Sequence, residues 1–135
     1  MAKTVMVDTG FLVALLSRGD RHRDWAVAQV GQLAHPWVTC EAVLSETFFF
    51  LDAHERPNLL EMMRRSVVVS RFDLGDELEA VLTLMDKYAS VPMSLADACL
   101  VRMSETLSDP VVLTTDADFR VYRRHSRQVI PCLMP

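Results

Sequence analysis

The sequence predicts an α/β fold, a three-layer α/β/α sandwich built on a central, mostly parallel sheet. Short β-branched, apolar runs such as residues 4–7 and 110–114 alternate along the chain with longer segments of helical periodicity. Strands separated by helices form parallel βαβ units with right-handed crossovers, and such units build layered domains. No repeat, low-complexity tract or linker interrupts the 135 residues, so we expect one domain over residues 1–135.

Each element is expected from a local signal. The strands follow from β-branched content and are expected at residues 4–7, 36–39, 66–70, 110–114 and 128–130. The helices follow from apolar spacing and are expected at residues 11–16, 25–33, 41–54, 57–65, 74–89, 95–107 and 116–125. Thr39 is the expected N-cap of the third helix, and Pro57 favours the first turn of the fourth.

The composition limits the classes of function. Half of the residues are apolar and 24% are charged, which is typical of a globular protein. A net charge of −4 disfavours non-specific nucleic-acid binding but leaves room for local basic patches. The three cysteines (Cys40, Cys99 and Cys132) are widely spaced in apolar surroundings, which indicates free thiols in a reducing compartment. No apolar run reaches the ~18 residues of a membrane span, so we expect a cytoplasmic protein without a membrane partner.

Two carboxylates follow predicted strands. Asp8 ends the first strand and Asp116 follows the fourth. Open α/β sheets bind their ligands beyond the carboxyl ends of the strands, so both side chains stand where chemistry is expected. The competing interpretation is helix capping, with Asp118 as a first-turn partner of the helix dipole.

Two further carboxylates lie in apolar company on predicted helices. The neighbours of Glu46 three and four positions away are all apolar: Ala42, Val43, Phe49 and Phe50. This stripe predicts that Glu46 is held against the core, where an unpaired charge costs several kcal/mol. Asp97 has similar neighbours, but residues 94–97 also match a capping box.

The four carboxylates together suggest a metal centre. A like-charged pair ~4 Å apart costs about 4 kcal/mol at an effective dielectric constant of 20, and protons or a divalent cation relieve this repulsion. Oxygen ligands without His or Cys suit Mg²⁺ or Mn²⁺ rather than zinc, and such sites usually act on phosphates. Metal-assisted attack of water on a phosphodiester is the expected reaction, with Thr9 and Thr114 as polar support.

Four short motifs carry a resemblance to a known family. They are Val-Met-Val-Asp-Thr at 5–9, Val-Leu-Ser-Glu-Thr at 43–47, Ser-Leu-Ala-Asp-Ala at 94–98 and Leu-Thr-Thr-Asp-Ala-Asp-Phe at 113–119. In order and spacing the chain resembles a PIN domain of the VapC-like type, the toxin ribonuclease of type II toxin–antitoxin pairs. The resemblance implies a five-stranded sheet, an endoribonuclease that depends on Mg²⁺ or Mn²⁺, a homodimer and an antitoxin partner.

The resemblance also assigns roles to residues. It implies that Asp8, Glu46, Asp97 and Asp116 are catalytic and hold the metal, with Asp118 as an addition to the ligand set. It places the family's polar residue near the metal at Thr114.

An RNA substrate needs cations beside an acidic cavity. Candidates lie close in sequence to the last acidic motif: Arg120, Arg123 and Arg124. The competing interpretation of this charge run is a solvated face.

The sequence is also compatible with other functions. A non-toxin PIN nuclease of RNA processing and a non-catalytic PIN-like binding module both fit the motifs. Asp8-Thr9-Gly10 also matches an aspartic protease motif, but the long helical patterns contradict that almost all-β fold.

Overall fold

The computed structural model describes residues 3–135, and its centre is a parallel sheet of five strands. In sequence order these strands are β1 (Thr4–Val7), β2 (Trp37–Thr39), β3 (Val68–Ser70), β4 (Pro110–Leu113) and β7 (Cys132–Leu133). Their order across the sheet is β3-β2-β1-β4-β7, and every neighbouring pair is parallel. The predicted α/β/α architecture is confirmed.

Within residues 3–135, six α-helices flank the sheet. They are α1 (Thr9–Leu16), α2 (Arg23–Val30), α3 (Glu41–Phe50), α4 (Arg56–Arg64), α5 (Leu78–Lys87) and α6 (Leu95–Thr106). Helices cover both sides of the sheet, so the central strands are buried on both faces. Strands of this kind consist almost wholly of apolar residues. Helix α3 packs against both α1 and α6, so it links the helices that begin at the carboxyl edge of the sheet.

The strand order creates a crevice between β1 and β4. The chain winds outward from β1 to β2 and β3, and then returns through α5 and α6 to β4 on the other side of β1. Open α/β sheets bind ligands at the point where the winding direction reverses. Val7 is in register with Leu113, and the backbone N–H of Asp8 donates to the Leu113 carbonyl at 3.0 Å. The residues that follow β1 and β4 are therefore neighbours.

Two predicted details at helix starts have different outcomes. The capping box is confirmed: the Ser94 side chain accepts from the Asp97 N–H at 3.0 Å, and Asp97 accepts from the Ser94 N–H at 3.1 Å. The prediction that Thr39 caps α3 is wrong. Cys40 occupies the N-cap without a side-chain bond, and the buried Thr39 hydroxyl instead donates to the Val7 carbonyl at 2.8 Å.

The largest correction concerns residues 116–130, where we expected a basic helix followed by the last strand of the sheet. The structure has a 3-10 helix at Ala117–Arg120 and then an antiparallel pair, β5 (Arg123–Arg124) and β6 (Gln128–Val129). His125 and Ser126 turn the chain between them with φ values of 50° and 68°. The fifth strand of the sheet is β7, and residues 128–130 do not join it.

Several helix ends also differ from the prediction. Helix α3 ends at Phe50 rather than at residue 54, and α5 begins at Leu78 rather than at residue 74. Among residues 3–135, no helix combines the length and the apolar character that crossing a membrane requires.

Candidate active site

Asp8 stands at the centre of the crevice. It ends β1 and caps α1, where one carboxylate oxygen accepts from the Thr9 N–H at 2.7 Å. The other oxygen accepts from the Thr114 hydroxyl at 2.7 Å, and Asp8 is only 5% exposed. Thr114 also accepts from the Asp116 N–H at 3.0 Å, so its hydroxyl joins the ends of both strands.

Asp116 and Glu46 approach from two other elements. Asp116 begins the 3-10 helix and accepts from the Asp118 N–H at 2.9 Å. Glu46 lies on α3 and accepts from the Thr9 hydroxyl at 2.8 Å. Thr9 therefore holds Glu46 against the start of α1, which is the helix that Asp8 caps.

Asp97 reaches the crevice from the N-terminus of α6. Besides its capping bonds with Ser94, it accepts from the Tyr122 hydroxyl at 3.3 Å. Asp97 is 9% exposed. Asp8, Asp97 and Asp116 therefore have two roles at once. Each accepts a hydrogen bond at the N-terminus of a helix, and each still faces the same space.

That space is a cavity of about 720 Å³. Its lining includes all four predicted carboxylates and is completed by Thr9, Gly10, Val13, Ser45, Phe49, Phe50, Ser94 and Thr115. No Lys, Arg or His lines it, and within residues 3–135 none of the four carboxylates forms a salt bridge. The cavity thus concentrates negative charge without a protein countercharge.

The electrostatics follow from this geometry. Burial raises the pKa of Asp8 from 3.8 to about 7, assisted by the charges of Asp97 and Asp116 and opposed by the hydrogen bonds from Thr114 and Thr9. Burial and the charge of Asp116 also raise the pKa of Asp97. Burial, followed by the charges of Asp97, Asp118 and Asp116, raises the pKa of Tyr122. The cavity therefore favours a cation or bound protons.

A comparison with known families decides what kind of protein this is. The family model of the PIN domain matches residues 5–124. The chain belongs to the PIN domain family. PIN domains are generally metal-dependent nucleases, so the chain is a member of a nuclease superfamily. No curated protein shows significant similarity to the chain.

The donor chemistry of this PIN domain fits a hard, hydrated cation. Every polar side chain that lines the cavity offers oxygen. Within residues 3–135, Glu46 Oε2, Asp97 Oδ1 and Asp116 Oδ2 have no hydrogen-bond partner. In the same range, no group of three or more His, Cys, Asp or Glu side chains is arranged to hold a metal ion directly. Mg²⁺ keeps several of its waters when bound, so carboxylates can also hold it through those waters.

The remaining predicted site residues of the PIN domain lie outside the cavity lining. The N–H of Asp118 donates to Asp116, but its side chain does not line the cavity, and its metal role stays a prediction. The Arg123 guanidinium donates to the carbonyls of three preceding residues, the closest at 2.6 Å. Arg124 is half-buried, and its Nε has no hydrogen-bond partner among residues 3–135, whereas Arg120 is exposed. Their contact with RNA stays a prediction.

One prediction about α3 is wrong. The apolar neighbours of Glu46 predicted a stripe held against the core, but Phe49 and Phe50 are 79% and 61% exposed at the edge of the cavity. Helical spacing shows that these residues share one face of α3. It does not show whether another element of the fold covers that face. Tyr122 was missed because it lay within a predicted basic helix and carried no signal of its own.

Proposed function

We propose that this PIN domain is an endoribonuclease that depends on Mg²⁺ or Mn²⁺ and hydrolyses phosphodiester bonds of single-stranded RNA. The observation that supports the proposal is the convergence of Asp8, Glu46, Asp97 and Asp116 from four separate elements on one cavity without a protein cation. A phosphate cannot approach four carboxylates unless positive charge is added, because the repulsion costs several kcal/mol. The reaction therefore needs a divalent ion in this cavity.

The residues of the site would have two different roles, binding the ion and positioning the carboxylates that bind it. Asp97, Asp116 and Glu46 would hold the ion through their free oxygens, and Asp8 would join them once its proton has left. A bound divalent cation supplies Lewis-acid stabilisation to the phosphate oxygens. Thr114 keeps Asp8 in place by donating to its carboxylate, and Thr9 does the same for Glu46. Both carboxylates are thus fixed before the substrate arrives, which lowers the reorganisation needed for reaction.

The test is an RNA cleavage assay with purified protein. Wild type is expected to cleave a single-stranded RNA with Mg²⁺ or Mn²⁺ and to stop in EDTA. Asp97→Asn is expected to lose at least 100-fold in rate. Asp86→Asn, which alters an exposed carboxylate on α5, is the matched control and is expected to act like wild type. Equal rates in wild type and Asp97→Asn would contradict the proposal and favour a non-catalytic binding module.

The biological role that we propose is the toxin of a toxin–antitoxin pair. Expression in a bacterial host without a partner protein should then arrest growth, whereas Asp97→Asn should permit it. Normal growth with a good yield of active wild-type enzyme would instead indicate a PIN nuclease of RNA processing. Either role places the protein with RNA in the cytoplasm, and the free cysteines suit that reducing compartment.

We further propose that the chain forms a homodimer and binds an antitoxin protein. Support comes from large apolar side chains that the helices leave exposed, such as Val27 and Val30 on α2 and Leu60 on α4. Exposed apolar side chains on a helix offer a partner protein a surface to cover. Light scattering at micromolar concentration is expected to give twice the 15.3 kDa chain mass. A strictly monomeric mass at every concentration would contradict the dimer.

A further inference from the structure

Two phenyl rings form the outer edge of the acidic cavity, and we call Phe49 and Phe50 the aromatic rim. They are the two most exposed phenylalanines of the chain at 79% and 61%, and both line the cavity. Their rings meet edge to face, with centroids 5.4 Å apart and planes 79° apart. Exposing two adjacent rings forgoes the burial that the hydrophobic effect favours, and exposed apolar patches beside a cavity commonly belong to binding sites.

The aromatic rim is tied to the acidic cavity through one helix. Phe49 and Phe50 follow Glu46 by three and four positions on α3, so all three side chains lie on the same face. Glu46 in turn is held by the Thr9 hydroxyl at the start of α1. A phosphate bound among the carboxylates would therefore have an adjoining nucleotide beside the rim.

A cationic group lies on the other side of the rim. Phe50 also lines a second cavity, of about 880 Å³, which contains Arg18 and Arg23. The two carboxylates there, Asp52 and Glu55, accept hydrogen bonds from backbone N–H groups. The Arg23 guanidinium donates to a backbone carbonyl, whereas within residues 3–135 the Arg18 guanidinium makes no hydrogen bond or salt bridge. Arg18 is therefore available to a phosphate.

We propose that the aromatic rim is a base-stacking subsite for single-stranded RNA. A nucleobase next to the scissile phosphate stacks on Phe49, the more exposed ring, and the strand continues past Phe50 towards Arg18. This inference rests on the proposed nuclease function and adds how the substrate is held. Every base has a π face, so stacking tolerates sequence, while bases paired in a duplex are not free to stack on the rim. The subsite thus selects unpaired RNA.

The test compares variants that separate aromatic character from apolar bulk. Phe49→Leu keeps apolar volume without a π face, and it is expected to raise KM about five- to a hundred-fold with little change in kcat. Phe49→Trp is expected to retain wild-type KM. Leu82→Ala, at an exposed apolar position on α5, is the matched control. Thermal unfolding should be the same in wild type and both Phe49 variants, because Phe49 is largely exposed.

A substrate change gives the second arm. On an RNA whose nucleotide beside the cleavage site lacks a base, wild type and Phe49→Leu should have the same KM. Arg18→Ala should reduce the slope of log affinity against log salt by about 0.7, the value of one phosphate contact on a single strand. Phe49→Leu with wild-type KM on the intact RNA would overturn the inference. The inference would also be overturned if Phe49→Leu kept wild-type RNA kinetics but no longer bound a partner protein or a second copy of the chain. The aromatic rim would then be a protein-binding surface.

Failure of the nuclease proposal would look different. If wild type cleaves no RNA with Mg²⁺ or Mn²⁺, the proposed function fails, and the rim is judged by binding of a labelled single-stranded RNA in the presence of Mg²⁺. Weaker binding by Phe49→Leu and retained binding by Phe49→Trp would still support the stacking subsite. Equal binding by both variants and wild type would overturn it.

Discussion

Asp8→Asn is expected to make the metal-free protein more stable at alkaline pH while it removes a proposed ligand. The pKa of Asp8 rises from 3.8 to about 7 in the folded protein because the carboxylate is buried beside two other charges. A carboxyl whose pKa is raised by folding stabilises the folded state only while it is protonated. For Asp8 this contribution is fully present below pH 4 and is lost as the pH rises through 7. Ionised Asp8 therefore weakens the folded state above neutral pH.

The magnitude follows from the size of the pKa change. One pKa unit corresponds to about 1.4 kcal/mol, so this change corresponds to about 4 kcal/mol above pH 7. Asparagine has one acceptor oxygen for the two donors, Thr9 N–H and Thr114 hydroxyl, and an imperfect replacement costs about 1 kcal/mol. We therefore expect Asp8→Asn to gain roughly 2–3 kcal/mol at pH 8 and to be neutral or slightly destabilised at pH 4.

The assay is urea unfolding in EDTA at pH 4, 6 and 8, with Asp86→Asn as the exposed control. The stability difference between Asp8→Asn and wild type should grow with pH, and the control should show no such growth. A saturating concentration of Mn²⁺ should stabilise wild type more than Asp8→Asn. A variant that is less stable than wild type by the same amount at every pH would refute the burial argument.

Two further substitutions test how the site is held. Thr114→Val removes the donor to Asp8 and should destabilise the protein by about 1–3 kcal/mol in urea unfolding, and the pH–rate profile for cleavage should move to higher pH. An unchanged profile would contradict the role of the hydroxyl. Gly10→Ala places a Cβ against the side-chain oxygen of Thr115, so it should cost about 1–3 kcal/mol and lower the cleavage rate. Gly19→Ala has nothing within 4 Å of the added Cβ and serves as the control, and equal effects of both would argue against the close packing at Gly10.

The sequence was sufficient for the centre of the fold because its signals there are local. A β-branched run that ends in a carboxylate specified β1 and Asp8, and the capping box specified the start of α6 and Asp97. Adjacent parallel strands end at the same edge of a sheet, which brought Asp8 and Asp116 together without knowledge of the side chains.

The sequence was insufficient where a structure depends on an uncommon backbone conformation or on what covers a surface. The hairpin after the 3-10 helix turns at His125 and Ser126, which adopt positive φ without the glycine that usually marks such a turn. Arginine favours helices, so the segment resembled one. For the aromatic rim, the sequence correctly placed Phe49 and Phe50 on the same face of α3 as Glu46. Their position at the edge of the cavity depends on tertiary packing, which the sequence pattern does not show.

The most direct measurement is anomalous diffraction from a crystal of wild type that contains Mn²⁺. We expect a peak inside the acidic cavity, from an ion bound directly or through water to oxygens of Asp97 and Asp116, and no peak there in Asp97→Asn. Saturating Mn²⁺ that leaves the wild-type cavity without a peak, or that binds elsewhere on the chain, would contradict the claim that these carboxylates form a metal centre.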